Sequence, residues 1–179
     1  MHRLTLTAFA TLTLLNTAPL QAQRPIAFGL AGGLSLPQGD LGDASQLGWH
    51  ALGTLNLQSP MLPMGLRLDA AYNRFAGDDN VSTSLGSFDV ASLTGNLTYR
   101  LPMTNSPISP YVIGGMGAYR TSCSGAPNCD GSIDFGWNVG LGFRMYALGL
   151  RSFIEARYHR TERGTSDVHY FPLTLGLIF

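Results

Sequence analysis

From Phe171 to Phe179 the chain reads F-P-L-T-L-G-L-I-F. Large apolar side chains hold the odd positions (Phe171, Leu173, Leu175, Leu177, Phe179), and Pro172, Thr174, Gly176 and Ile178 fill the even ones. A period of two puts alternate side chains on opposite faces of a strand. One face is therefore wholly apolar, and either a partner sheet or lipid has to cover it.

Composition favours lipid. Charged residues make up 12% of the chain, about half the share usual in soluble domains (~25%), and glycine is abundant at 22 residues. No apolar run reaches the roughly 18 residues that a spanning helix requires. The one membrane architecture left is a closed β-barrel, which satisfies every backbone polar group between strands. All eleven basic residues are arginine and they balance eleven acids. With no basic patch to neutralise phosphates, nucleic acid is not an expected partner.

Residues 1–22 read as an export signal. His2 and Arg3 form a basic start, an apolar stretch runs around Leu4 to Leu15, Asn16 and Pro19 break it, and Ala22 offers a small residue at the cut. An N-terminal anchor fits less well, because Thr5, Thr7, Thr11 and Thr13 dilute the run and no charged stop follows. The expected domain is residues 23–179, with no separate periplasmic domain. Cys123 and Cys129 sit in a Gly/Ser/Pro/Asp stretch. In an exported chain they are expected to form a disulfide. A metal site is the rival, but no His or third Cys is near in sequence, and zinc takes four ligands.

Eight alternating segments follow one another between turn residues: Ile26 to Leu36, Gly48 to Gln58, Gly65 to Phe75, Phe88 to Arg100, Tyr111 to Arg120, Phe135 to Tyr146, Leu150 to Thr161 and His169 to Phe179. The sixth has an unbroken apolar face, Phe135, Trp137, Val139, Leu141, Phe143 and Met145, set against Gly136, Asn138, Gly140, Gly142 and Arg144. In the fifth, glycines flatten the pattern. Tyr111, Ile113 and Tyr119 are assigned to its outer face, which turns Arg120 inward. Phe153 interrupts the polar face of the seventh.

Links after the second, fourth and sixth segments are short, and the others are longer and polar, as in outer-membrane barrels. Both termini are thereby expected in the periplasm, and Pro37 to Leu47, Ala76 to Ser87, Thr121 to Asp134 and Thr161 to Val168 outside the cell.

A soluble sandwich keeps its inner faces apolar. Here Arg67, Asp69, Glu155 and Arg157 lie opposite aliphatic faces, so the predicted fold is an all-β, eight-stranded antiparallel up-and-down transmembrane β-barrel with lipid outside and a polar interior. Trp49, Tyr72, Tyr99, Tyr111, Tyr119, Phe135, Trp137 and Tyr158 fall near strand ends, where an interfacial girdle would stand.

The terminal P-L-T-L-G-L-I-F, the P-Y-V-I-G-G-M-G-A-Y-R of the fifth strand and the G-W-N-V-G-L-G-F-R of the sixth resemble the small eight-stranded outer-membrane barrels of the OmpA/OmpX and opacity-protein type. The likeness covers the whole mature chain. It implies that Leu173, Leu175, Leu177 and Phe179 are the signal read by the barrel-assembly machinery. It leaves the activity open, because that group spans adhesins, structural anchors and proteins of unassigned role.

An eight-stranded barrel encloses just enough room for side chains to fill. Arg67, Asp69, Arg100, Arg144, Glu155 and Arg157, with Asn96 and Asn138, are expected to project inward, the charged ones as an ion network. A monomeric barrel with a filled interior and a structural or surface-interaction role is the main reading. A narrow porin-like conduit is the alternative.

A lipid-modifying enzyme is less favoured. His50, His159 and His169 lie at strand ends with Asp167 near and Ser122, Ser124 and Ser166 in loops, but no motif joins them. No cofactor or metal is expected. Asp78-Asp79-Asn80 is the best fragment of a cation loop, and no loop has calcium-binding spacing. Arg74 and Arg160 extend outer faces just beyond Tyr72 and Tyr158. There they are placed to pair with lipopolysaccharide phosphates, with outer-membrane lipid as the general partner.

Overall fold

The computed structural model describes residues 26–39, 41–42, 45–58, 61–77, 87–103, 106–124, 131–147, 149–162 and 167–179. The expected export signal (1–22), Cys129, Ser166 and Asp78-Asp79-Asn80 lie outside these residues.

Period-two patterning without a helical alternative produces eight strands: β1 (Ile26–Gln38), β2 (Gly48–Gln58), β3 (Met64–Ala76), β4 (Ser87–Arg100), β5 (Ile108–Ser124), β6 (Ser132–Ala147), β7 (Leu150–Thr161) and β8 (Val168–Ile178). Each pairs antiparallel with its sequence neighbour, and β1 pairs with β8 to close the barrel. β5 and β6 run further than the sequence pattern suggested, to Ser124 and Ser132, because their ladder continues past the apolar alternation. The links 59–63, 101–107 and 148–149 lie at one end of the barrel, here the turn end. The links 39–47, 77–86, 125–131 and 162–167 lie at the other, the loop end.

Following paired residues once round the ladder leads from Ala27 through Asn56, Arg67, Asn96, Gly115, Asn138, His159 and Tyr170, and back to β1 at Pro37. This stagger tilts the strands and sets the bore. It also brings β3 and β7, which are not neighbours in the ladder, face to face across the lumen.

The outer surface is an apolar band. Leu30, Leu66, Leu93, Leu97, Leu141, Ile154, Leu173, Leu175, Leu177 and Phe179 are all exposed, as the terminal alternation demanded. Among the described residues no helix is long and apolar enough to cross a membrane. Near the loop end the band is edged by two tilted aromatic pairs, Trp49 with Tyr72 (centroids 5.8 Å apart) and Trp137 with Tyr158 (5.7 Å).

The facing of β5 is the reverse of that expected. Tyr111, Ile113 and Tyr119 are buried in the lumen, while Val112, Met116 and Arg120 face out. Tyr111 and Tyr119 therefore leave the proposed girdle. The physical reason is room: Tyr111 pairs directly with Gly142 on β6, and a Cβ there would stand 2.6 Å from the Tyr111 hydroxyl. A Cβ at Gly136 would likewise meet the Tyr119 ring at 2.7 Å. The glycines of β6 are the space the tyrosines occupy.

Candidate functional site

In this fold the candidate site is the lumen, which falls into three levels. At mid-height β3 presents Arg67 and Asp69, and β7 presents Glu155 and Arg157, all with an exposure of 3% or less. Residues two apart on a strand share a face, so each wall brings one cation and one anion. Arg67 Nε donates to Asp69 Oδ1 (2.8 Å), and its Nη1 donates to Glu155 Oε2 on the opposite wall (2.8 Å). Arg157 Nη2 donates to Asp69 Oδ2 (2.7 Å), and its Nε donates to Glu155 Oε1. Every member pairs with both opposite charges, and the quartet is neutral.

Buried ions persist only where the remaining lone pairs are also satisfied. Tyr111 OH donates to Glu155 Oε2 (2.6 Å) and Asn96 Nδ2 to Asp69 Oδ2 (3.0 Å). Asn138 Nδ2 in turn donates to Asn96 Oδ1 (2.9 Å). Phe153, the residue that interrupted the polar face of β7, lies under the Arg67 guanidinium at 4.9 Å from its ring centroid. Gly176 on β8 gives that ring its space, since a Cβ there would come within 2.3 Å of it.

Towards the loop end the lumen is aromatic. Phe75, Phe88, Val90, Tyr119, Val168 and Tyr170 form a buried cluster, closed by Leu41 from the 39–47 link and flanked by Cys123. Phe75 meets Tyr170 edge-on at 5.8 Å, and His159 stacks on Tyr170 at 4.8 Å while its Nδ1 shares a hydrogen bond with Tyr119 OH (3.0 Å). Beside the quartet, His50 bridges Ser35 Oγ (3.1 Å) and Thr174 Oγ1 (3.0 Å), and Ser35 donates to Asn73 Oδ1 (2.8 Å). The space between quartet and cluster is about 20 Å³, roughly one water.

Towards the turn end the lumen opens into a cavity of about 250 Å³. Arg144 and Arg100 belong here rather than to the ion network in which they were expected. Arg144 stacks on the Tyr111 ring at 4.8 Å, and Arg100 stands exposed at the rim. No ion pair reaches either among the described residues. The quartet saturates both of its carboxylates, and Asp134, the other acid on the inner face of β6, stands at the loop end opposite Tyr119.

On the outer surface Arg74 lies beyond Tyr72, 3.8 Å from Asp89, with half of its side chain exposed. Arg160 holds Asp167, donating from Nε at 3.0 Å. This guanidinium keeps the Asp167 carboxyl below the usual carboxylate range. Arg120, expected inside, is instead a third exposed arginine of this outer rim. His169 is bonded to Tyr158 OH through Nδ1 and lies 3.7 Å from Asp167 through Nε2. Among the described residues no group of three or more His, Cys, Asp or Glu is arranged to hold a metal.

The inward tyrosines, Phe153 as a floor for Arg67, and the Ser35–His50–Thr174 chain were not foreseen. The usable signal was the spacing of bulky residues against glycines on the next strand, which requires the register.

Residues 7–179 match the family model described as outer membrane protein beta-barrel domain. The chain belongs to this family. Its fold is also that of solved barrels of low identity. Neisserial surface protein A aligns with a TM-score of 0.67 at 17% identity, over 87% of this chain and 96% of that one. The N-terminal β-barrel domain of Pseudomonas aeruginosa OprF gives 0.53 at 15%, over 87% and 98%. The outer membrane enzyme PagL gives 0.54 at 13%, over 86% and 98%. No curated protein matches the chain. The fold is thus shared by a surface protein and an enzyme, and the residues have to separate these roles.

Proposed function

We propose that this outer-membrane barrel is a structural or surface-interaction element of the envelope, monomeric and with a closed lumen. The observation that carries this reading is the double obstruction: a cross-linked charge quartet at mid-height and an aromatic cluster above it, with space for about one water between them. A path for solute would need both to rearrange. Planar-bilayer recording of the refolded protein tests this: no stable conductance steps are expected, and steps that change with Glu155→Gln would establish the porin-like conduit instead.

A non-catalytic role is supported by where the histidines stand. Ser35, next to His50, is fully buried in the lumen and out of reach of lipid. Outward-facing His169 has a phenol and a carboxylate beside it, and no serine hydroxyl bonds it among the described residues. Unchanged lipid A in a strain that overexpresses the protein is the expected result, and altered acylation would refute the proposal.

In this reading residues 1–22 are removed on export and both termini face the periplasm, so the longer links meet the outside. Leu173, Leu175, Leu177 and Phe179 present the assembly signal on the lipid face. Cys123 is tied to Cys129 at the loop end. Arg74 and Arg160 stand just above the aromatic pairs, at the height where lipopolysaccharide phosphates meet the barrel, and Arg contacts phosphate in a bidentate manner. Replacing both with Gln is expected to weaken lipopolysaccharide retention without unfolding the barrel.

A further inference from the structure

We infer that the turn-end mouth is a binding site for a phosphate-class oxyanion. The cavity of about 250 Å³ is lined by three arginines, Arg100 from β4, Arg144 from β6 and Arg151 from β7, and by Ser109 and Ser152, with no carboxylate among its lining residues. All three occupy inward-facing positions on strands that β5 and the β6–β7 ladder hold together. Ser109 is the direct cross-strand partner of Arg144, and Tyr146 that of Arg151.

Like charges gathered in a partly enclosed site repel one another unless a counter-charge joins them. The acids among the described residues do not supply it. Asp69 and Glu155 are consumed by the quartet, while Asp89, Asp134, Glu162 and Asp167 lie at the loop end. Arg144 is the clearest sign of a missing partner. Its Nη2 is buried and makes no hydrogen bond among the described residues, although the neighbouring ring of Tyr111 fixes the guanidinium plane. A guanidinium fixed in this way in a cavity wall, with one donor left unused, is organised to take up a phosphate oxygen. Arg100 and Arg151, exposed at the rim, draw the anion in and close around it. The volume accommodates a phosphate or diphosphate with part of its carrier.

The same chemistry serves a free phosphorylated solute or a phospholipid headgroup at the barrel rim, and two arms separate them. In the first, inorganic pyrophosphate is titrated calorimetrically into the refolded full chain in a zwitterionic detergent. In the second, the chain is placed in phosphatidylcholine nanodiscs with or without phosphatidylglycerol, and the amide resonances of Ser109 and Tyr146 are followed. Binding is expected in at least one arm. It should fall about tenfold in Arg144→Gln and by a similar factor in Arg100→Gln, whose rim position spares the fold, and stay unchanged in Arg120→Gln at the opposite end. A tenfold loss corresponds to about 1.4 kcal/mol. Response in the first arm assigns a soluble ligand, and response only with phosphatidylglycerol assigns a headgroup. Absence of binding in both arms overturns the site, as does an equal loss in Arg120→Gln, which would reduce it to general attraction by positive charge.

Discussion

The two halves of the lumen are built on opposite principles. Above the quartet the barrel is packed as a soluble core is packed, with Phe75, Phe88, Tyr119 and Tyr170 excluding water. Below it the bore widens and is lined by arginines with no Asp or Glu among the described residues of its wall. Both halves are made by the same alternating strands, and the difference lies in what the inner positions hold at each height. A strand pattern defines which face is inside, while the level along the strand decides whether that face seals or receives.

The sharpest way to break this division is to remove the element that separates the halves. Glu155→Leu leaves two buried guanidiniums with one carboxylate between them. Its expected cost is about 3–5 kcal/mol, read as a loss of urea resistance in detergent. Phe75→Ala empties the upper half instead. It is expected to cost about 3 kcal/mol in the same assay, without adding conductance while the quartet holds. Gly176→Ala pushes a methyl into the Phe153 ring below Arg67, at an expected cost of about 1–3 kcal/mol, and Phe153→Leu in the same chain should recover part of it. Arg144→Gln removes a stacked cation but also a repulsion, so stability should change by less than about 1 kcal/mol. A large loss there would mean that the arginine mouth is structural after all.

The smallest effect concerns the outer rim. The folded state prefers ionised Asp167 because Arg160 holds it. This tie is intact above the free-carboxylate value of about 4 and is released as pH falls through the lower folded value. A carboxyl NMR titration should place Asp167 below an ordinary aspartate, and Arg160→Gln should return it.

The lipid face was almost fully legible in the sequence, because a side chain that faces lipid needs only to be apolar and to recur every second residue. The charged quartet was legible for a related reason: Arg67 with Asp69, and Glu155 with Arg157, stand where an apolar pattern predicts the other face. The interior above and below was not. Tyr111 and Tyr119 are as acceptable to a membrane interface as to a lumen, and only the glycines across the ladder decide between the two. Arg100 and Arg144 shared a face with the quartet, but a face says nothing of height. Height depends on the stagger between strands, which no single strand encodes.

That stagger closes the ring through β1 and β8, the two strands furthest apart in the chain, and even the amide of Phe179 reaches the Phe28 carbonyl (2.7 Å). Until β8 is in place, β1 exposes a full row of unpaired donors and acceptors that hydrocarbon cannot satisfy. No seven-stranded precursor is therefore a tolerable resident of the bilayer. Unless another protein covers that edge, the chain has to wait outside the membrane until its last strand exists, and the slow, long-range pairing that completes it is also what commits it to lipid. For a molecule of this kind, folding and insertion are a single event.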